Sequence, residues 1–315
     1  MMRNLLKENP LIFVDVGASG GMHKRWLQFG SDIKSILFEP DIEEFKKLSL
    51  NKSDNSIIIN SALAESRKIV DFNICKKQEV SSIYKPNLSL LDKYEDSERF
   101  EIEKTISMEA DSLNNLLKKE SIYDIDFIKI DTQGSELDIL RGATDYFKNT
   151  IGFEVEVEFV QLYHDQPLFR EVNSFIETRG FNLVDLRRTY WKRKRNNYSD
   201  NKGQLIFADA LYFKQPEEII ALSDLNQEKI IRSICIYLAY GYHDFARVLF
   251  ELAKKDNFLT EEFEIGIKEL LQHQKTKFVL PNFKGKGRIH NLINYLGSKF
   301  NTKSFFSGTD NKLGN

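Results

Sequence analysis

Three strand ends and one run of alternating acids carry the chemistry this sequence can do. FVDVGASGG (13–21) closes an apolar run with a glycine turn. Gly17 lets the backbone reverse, and Gly20 and Gly21 let it approach a ligand closely. Asp15 stands just before the turn. A dinucleotide fold places G-x-G-x-x-G here, but this chain reads G-x-x-G-G with Ser19 in the middle position, which suits a smaller ligand without a pyrophosphate. LFEPD (37–41) puts Glu39 24 residues after Asp15, where the next strand ends. A carboxylate there can accept both hydrogens of a ribose diol. Asp41 is placed to cap the helix that follows.

FIKIDTQGSELDILRGA (127–143) ends another strand at Asp131 and opens a helix at Gly134 and Ser135, whose free N–H groups face the same site. Glu136 lies in its first turn, where an acid is favourable with or without a ligand, so Asp131 is the stronger functional candidate. FEVEVEF (153–159) sets Glu154, Glu156 and Glu158 on one strand face. Three carboxylates there are costly unless paired or solvated. Glu158, nearest the carboxyl end, is the one expected to line a cleft, and His164 lies in the loop leaving that edge. The plain readings are a glycine turn, a solvated strand-end acid and an edge strand with one wet face.

The elements that must hold these residues alternate. LIFVDVG (11–17), IKSILFEPD (33–41), NSIIINSAL (55–63), YDIDFIKID (123–131) and GFEVEVEFV (152–160) read as strands. Helical spacing in IEEFKKLSL, ELDILRGATDYFK and PLFREVNSFIETRG fills the gaps. IVDFNIC (69–75) and KTISMEAD (104–111) alternate like an antiparallel pair, while FNLVDLRR (181–188) and QLIFADALYFK (204–214) form a closing hairpin. This rhythm means βαβ units and an α/β fold with a mostly parallel sheet, whose ligands bind beyond the carboxyl ends of the strands. From about Gln215 the strand signal stops. Ile230, Ile234 and Leu238 form one helical stripe and Phe245, Leu249 and Leu252 another, with Gly241 between them, and EEFEIGIKELLQ (261–272) reads as a third helix.

Composition narrows the partners. The 315 residues are 41% hydrophobic and 29% charged, enough apolar matter for a sizeable core. Forty-five Lys+Arg against 47 Asp+Glu leave a net charge of -2, which argues against a globally basic nucleic-acid binder. Two cysteines are no disulfide framework, and the opening MMRNLLKENP has no secretory apolar region, so a cytoplasmic setting is expected. No run of about 18 apolar residues predicts a membrane span. RRTYWKRKR (187–195) interleaves cations with Tyr190 and Trp191, a pattern that can stack a sugar and hold an acidic acceptor, or bind a single-stranded nucleic acid. The region 275–303 carries Lys275, Lys277, Lys284, Lys286, Arg288, Lys299 and Lys303 with no acid among them. It reads either as a solvated terminal segment or as a peripheral contact with an anionic membrane or a lipid-linked glycan.

DVGASGG, the strand-end Glu39 and above all IKIDTQGSELDILRGA resemble the FkbM-type S-adenosylmethionine-dependent methyltransferases. SSIYKPN (81–87), SMEADSLNNLL (107–117), EVEFVQLYHDQPLF, GFNLVDLRRTYWKRK and FADALYFK (207–214) agree. The resemblance implies a class I methyltransferase fold, Rossmann-like, with a seven-stranded sheet whose last strand runs antiparallel. It would occupy 1–214, followed by a helical C-terminal extension over 215–300 and a disordered tail over 301–315. Asp15, Gly17 and Gly20 would then face the methionine part of the donor. Glu39 would hold its ribose, and Asn60, Ser61 and Ala62 would lie near its adenine. Asp131, Gln133 and Glu136 would sit between donor and acceptor, with Gln133 standing where the family usually has an acid.

The implied reaction is O-methylation of a sugar hydroxyl in a glycan, lipid-linked saccharide or natural product. A sugar hydroxyl needs a base or a metal to lose its proton. Asp131, Glu158 and His164 are the candidate bases, and Asp131 with Glu158 the candidate ligands for a divalent cation such as Mg²⁺. Two other classes compete. One is a non-catalytic module that keeps the donor fold and recruits a partner through its helices. The other is a nicotinamide-dependent oxidoreductase, disfavoured by Ser19 and the closing hairpin. The helical pair either packs on the main domain or mediates homo-oligomerisation.

Overall fold

The computed structural model describes residues 5–7, 9–194, 203–272, 281, 283–299, 310 and 313. Its strands are β1 (Leu11–Val16), β2 (Ile33–Phe38), β3 (Ser56–Ile59), β4 (Ala62–Leu63), β5 (Lys68–Cys75), β6 (Ile102–Asp111), β7 (Phe127–Ile130), β8 (Gly152–Glu158), β9 (Asn182–Trp191) and β10 (Gln204–Phe213). A seven-stranded sheet runs in the order β3-β2-β1-β7-β8-β10-β9, and β4-β6-β5 form a three-stranded sheet beside it. Only β10 runs against its neighbours in the large sheet. This is the class I methyltransferase arrangement that the family resemblance implies, with the closing hairpin as its last two strands.

The register places the chemistry. One face of the central strands is apolar along its length, with Val14, Val16, Ile128, Ile130, Val155 and Val157 in one buried cluster. The other face changes character halfway up. Its lower part, Phe13, Phe127, Leu211 and Phe213, is buried in a second apolar cluster. Above it, Asp15 pairs across the sheet with Lys129 and Lys129 with Glu154. One step farther along, Asp209 lies between Glu156 and Arg187. Side chains alternate with a period of two, so the polar set all reaches the face at the carboxyl ends.

Two expected elements are shorter than their sequence pattern. NSIIINSAL divides: Ser56–Ile59 stays in the large sheet and Ala62–Leu63 joins the small one. The Asn60 side-chain amide causes the break, donating to the carbonyls of Glu39 at 2.8 Å and Pro40 at 3.0 Å. YDIDFIKID contributes only Phe127–Ile130, with the buried Asp126 just before it.

Helix α1 (Ile42–Leu50) is capped by Asp41, whose Oδ1 accepts from the N–H groups of Glu43 at 2.8 Å and Glu44 at 3.0 Å. Helix α2 (Glu136–Arg141) follows β7, and α3 (Phe169–Glu177) lies between β8 and β9. In the extension, α4 (Gln227–Ala239) and α5 (His243–Lys255) turn at Gly241. Ile230, Ile234, Cys235 and Tyr237 of α4 enter the same cluster as Phe13, Phe127 and Phe213, so the helices cover the lower half of the sheet. Trp26 stacks on Phe13 at 4.3 Å, and Tyr240 packs on Phe127 at 5.3 Å. Two further helices follow, α6 (Glu261–Gln272) and α7 (Lys286–Lys299). Arg195, Lys275, Lys277, Lys303 and nearly all of 301–315 lie outside the described residues, as does the order or disorder expected there.

Candidate active site

A cleft enclosing about 890 Å³, its open mouth included, lies beyond the carboxyl ends of β1, β2 and β7. Gly17, Ser19, Phe38, Glu39, Ser61, Ala62, Asp131 and Gln133 line it, together with residues from the 78–83 loop. Its floor depends on a bare backbone. Gly17 has φ +79°, and a Cβ there would lie 1.9 Å from the carbonyl oxygen of Asp131. Any side chain would drive the ends of β1 and β7 apart. Glu39 is buried, with Oε1 accepting from Asp41 N–H at 2.9 Å. Burial pushes its carboxyl up to about 7, and the Asp41 N–H only partly offsets this.

Asp131 stands in the cleft with a third of its side chain (33%) open to solvent. Lys129 Nζ lies 3.5 Å from it and 3.4 Å from Asp15. Desolvation works against the charge of Lys129, but Asp15, Asp131 and Glu154 outweigh it and hold the ammonium well above its usual range. Desolvation would likewise raise Asp131. The neighbouring Lys129 charge and the hydrogen bonds it receives bring it below the usual carboxylate range instead. Glu156 goes the other way: burial, then the charges of Asp131, Glu158 and Asp209, raise it well above that range. The two carboxyls are thus pushed in opposite directions, Asp131 toward its ionised form and Glu156 toward its neutral one.

Gln133 joins the two. Its Nε2 donates to Asp131 Oδ1 at 3.2 Å and to Glu156 Oε1 at 3.0 Å. Its backbone adopts a left-handed φ of 59°, which costs a non-glycine residue roughly 1–3 kcal/mol. The surroundings hold it there: Ser82 Oγ donates to its carbonyl at 2.7 Å, and the Tyr163 hydroxyl lies 3.0 Å from Oε1.

The profile of the Methyltransferase FkbM domain matches residues 15–183. The chain belongs to the FkbM methyltransferase family. The 2-O-methyltransferase NoeI of Sinorhizobium fredii (strain NBRC 101917 / NGR234) is 23% identical over an alignment of 190 residues that covers 58% of this chain and 76% of NoeI. Among solved structures, M. capricolum TrmK with S-adenosyl-homocysteine matches with a TM-score of 0.35 and 8% identity over 86% of this chain and 93% of that one. Human methyltransferase-like protein 13, also with SAH, matches at 0.33 and 13% over 84% and 92%. At such scores the likeness adds nothing to what the strand order already shows.

Within this FkbM chain, the residues expected at the site divide. Gly17, Glu39, Ser61, Ala62, Asp131 and Gln133 come together in the cleft. Asp15 is buried beneath it, beside Lys129. Gly20 has φ +77° in the turn after β1, and Asn60 fixes the backbone behind Glu39. Glu136 accepts from the N–H groups of Thr132 at 2.8 Å and Gly134 at 2.9 Å, so it braces the turn that carries Gln133. Burial raises Glu136 to about 7.

The other expected residues lie apart from the cleft lining. Glu158 is 1% exposed, and burial raises it well above the carboxylate range. His164 has an exposed side chain, and its N–H donates to the Lys85 carbonyl at 2.9 Å. Trp191 is packed against Tyr94, Phe100 and Phe207, with Tyr190 half-buried beside it.

The divalent-cation expectation on Asp131 and Glu158 is not supported. Among the described residues, no group of three or more His, Cys, Asp or Glu is placed to hold an ion. Asp131 is turned to Lys129 and Gln133, and the buried Glu158 favours its neutral form, a poor ligand for a hard cation. Sequence reasoning missed Lys129, Tyr163 and Ser82 and passed over Glu156. Lys129 had a signal: two residues before Asp131 on a strand, it must share that residue's face.

Proposed function

We propose that this protein transfers a methyl group from S-adenosylmethionine to a hydroxyl of a sugar, in a glycan, a lipid-linked saccharide or a natural product. One observation carries the reading: Asp131, kept ionised by Lys129, opens into the same cleft as the bare Gly17 turn and the strand-end Glu39. These residues fit such a donor. On this reading Glu39 takes the ribose diol, the Gly17 backbone the methionine part, and Ser61 with Ala62 the adenine edge. The relative named a 2-O-methyltransferase supports oxygen as the acceptor atom. The sugar follows from the family resemblance.

The donor supplies, when bound, a methyl carbon made electrophilic by its sulfonium. The protein must do the rest by positioning and proton transfer. Asp131 accepts the acceptor's hydroxyl proton as the new oxygen–carbon bond forms and the carbon–sulfur bond breaks. Gln133 fixes the direction of the Asp131 carboxylate. Lys129 keeps it deprotonated until the hydroxyl arrives.

Glu39 makes the donor affinity depend on pH. A diol donating two hydrogen bonds selects the ionised carboxylate, whereas the free protein holds Glu39 at about 7. Below that value most molecules must lose a proton to bind. Affinity for S-adenosylhomocysteine should therefore rise roughly tenfold between about pH 6 and pH 8. Calorimetry on the parent and on Glu39→Gln checks this. The variant should bind weakly with no such rise; a rise that survives the substitution removes Glu39 from the donor site.

The acceptor is tested by transferring a labelled methyl group to soluble oligosaccharides, protein and RNA in parallel. A base-stable ether on a saccharide acceptor supports the proposal. Label in RNA, a ribose 2′-O-methyl ether included, or in protein overturns it. No label in any acceptor, with donor binding intact, overturns catalysis.

A further inference from the structure

We propose that helix α7 docks this protein on an anionic lipid surface, independently of the methyl-transfer reading. Ile289, Leu292, Ile293 and Leu296 recur at helical spacing along one side of α7 and are 48%, 56%, 61% and 50% exposed. Phe283, just ahead of the helix, is 46% exposed. Large apolar side chains gathered on one exposed face mark an interaction surface, unlike apolar residues scattered singly. No helix among the described residues is long and apolar enough to cross a membrane, so the contact is peripheral.

Charge selects the occupant. Lys286 and Arg288 fall on the two shoulders of the stripe, with Lys284 ahead of them, while Gly287 and Asn291 occupy the opposite side. This is the pattern of a helix lying in the plane of a bilayer interface, stripe in the acyl boundary and cations among the headgroups. The wider segment 275–303 holds seven Lys and Arg and no acid, out of 45 basic and 47 acidic residues in the chain. The remainder is thus acidic, and an anionic surface repels it while attracting α7, which fixes which side faces the lipid.

A second copy of the chain fits less well, because pairing two such stripes brings cations against cations. A nucleic acid would use the cations, and the exposed rings of Phe283 and Tyr295 lie off the stripe, but it would leave the aliphatic Ile289, Leu292, Ile293 and Leu296 uncovered.

Vesicle co-sedimentation of the full chain tests the proposal, using phosphatidylcholine alone and phosphatidylcholine with roughly a third phosphatidylglycerol. The parent should bind the mixed vesicles at least about tenfold more tightly than the neutral ones, and added salt should weaken the binding. Ile293→Asp with Leu296→Asp, and separately Lys284→Glu with Arg288→Glu, should each lower affinity by about tenfold or more. All four positions are exposed, so an unchanged melting temperature confirms that the variants fold. Failure to bind mixed vesicles overturns the proposal. So does equal binding by the folded variants. A parent dimer in ultracentrifugation that Ile293→Asp with Leu296→Asp dissociates, without vesicle binding, assigns the stripe to a second copy instead.

Discussion

Asp131→Asn is expected to lower kcat by about 10²–10⁴-fold, the usual contribution of a general base, while S-adenosylhomocysteine still binds. Asparagine keeps the shape of the carboxylate but cannot take a proton. It also presents an amide N–H₂ where two of the existing partners, Lys129 Nζ and Gln133 Nε2, are donors. Some stability is lost with the rate, so the melting temperature must be read beside kcat. Glu156→Gln is the discriminating control. Burial and three neighbouring acids already push Glu156 toward its neutral form, so a neutral amide there should leave kcat within about tenfold of the parent. The pH dependence separates the roles further. Asp131 stays ionised well below neutrality, so kcat should stay level as pH falls through 6, while kcat/KM for the donor falls as Glu39 protonates near 7. Equal activity of Asp131→Asn and parent would exclude Asp131 as the base. A loss in Glu156→Gln as large as in Asp131→Asn would mean that the proton leaves through Glu156.

The strand-end residues of this site were legible because their positions follow from local pattern alone. Gly17, Glu39 and Asp131 each terminate an apolar run, and a parallel sheet brings such ends to one edge wherever the strands sit. Glu156 was not legible in that way. Alternation places Glu154, Glu156 and Glu158 on one face, but which of them meets Asp131 depends on the offset between β7 and β8. Ile130 pairs with Val155, so Glu156 falls level with Asp131 and Glu158 one pair farther on, in the buried interior. Register is a long-range property, and a shift of one residue reverses every side chain. Trp191 misled for a related reason. The basic run around it reads as a surface that stacks a sugar, whereas β9 continues to Trp191 and carries the ring into an aromatic cluster with Tyr94 and Phe100. The stripes of α4 and α5 announced that something must cover them without saying what. The cover is the Phe13–Phe127–Phe213 face of the sheet that carries the site.

That shared core makes Asp126 the residue whose loss should cost the most stability. Asp126 is fully buried (0% exposed) at the entry to β7. Its Oδ2 accepts from Ile12 N–H at 2.8 Å, and its Oδ1 from Lys229 Nζ at 2.7 Å and Arg232 Nε at 3.0 Å, both on α4. Removing the carboxylate leaves two cations buried beside a single remaining acid, Asp124, at 3.4 and 3.3 Å. Breaking a buried ion pair from one side costs about 3–5 kcal/mol, against a total stability of roughly 5–15. Asp126→Ala should therefore unfold at a much lower urea concentration than the parent.

The counter-experiment removes the stranded charges as well. Asp126→Leu with Lys229→Met and Arg232→Met should recover to within about 1–3 kcal/mol of the parent, the residual cost of an unpartnered Ile12 N–H. A single variant as stable as the parent would mean that apolar packing alone docks α4, and a triple variant no better than the single would locate the cost in the Ile12 bond. Activity should follow the same order. Strand β7 spans only Phe127–Ile130, so the residue that anchors the helical extension and the proposed base stand at opposite ends of one short strand. Asp126→Ala is therefore expected to lower kcat even where the chain remains folded.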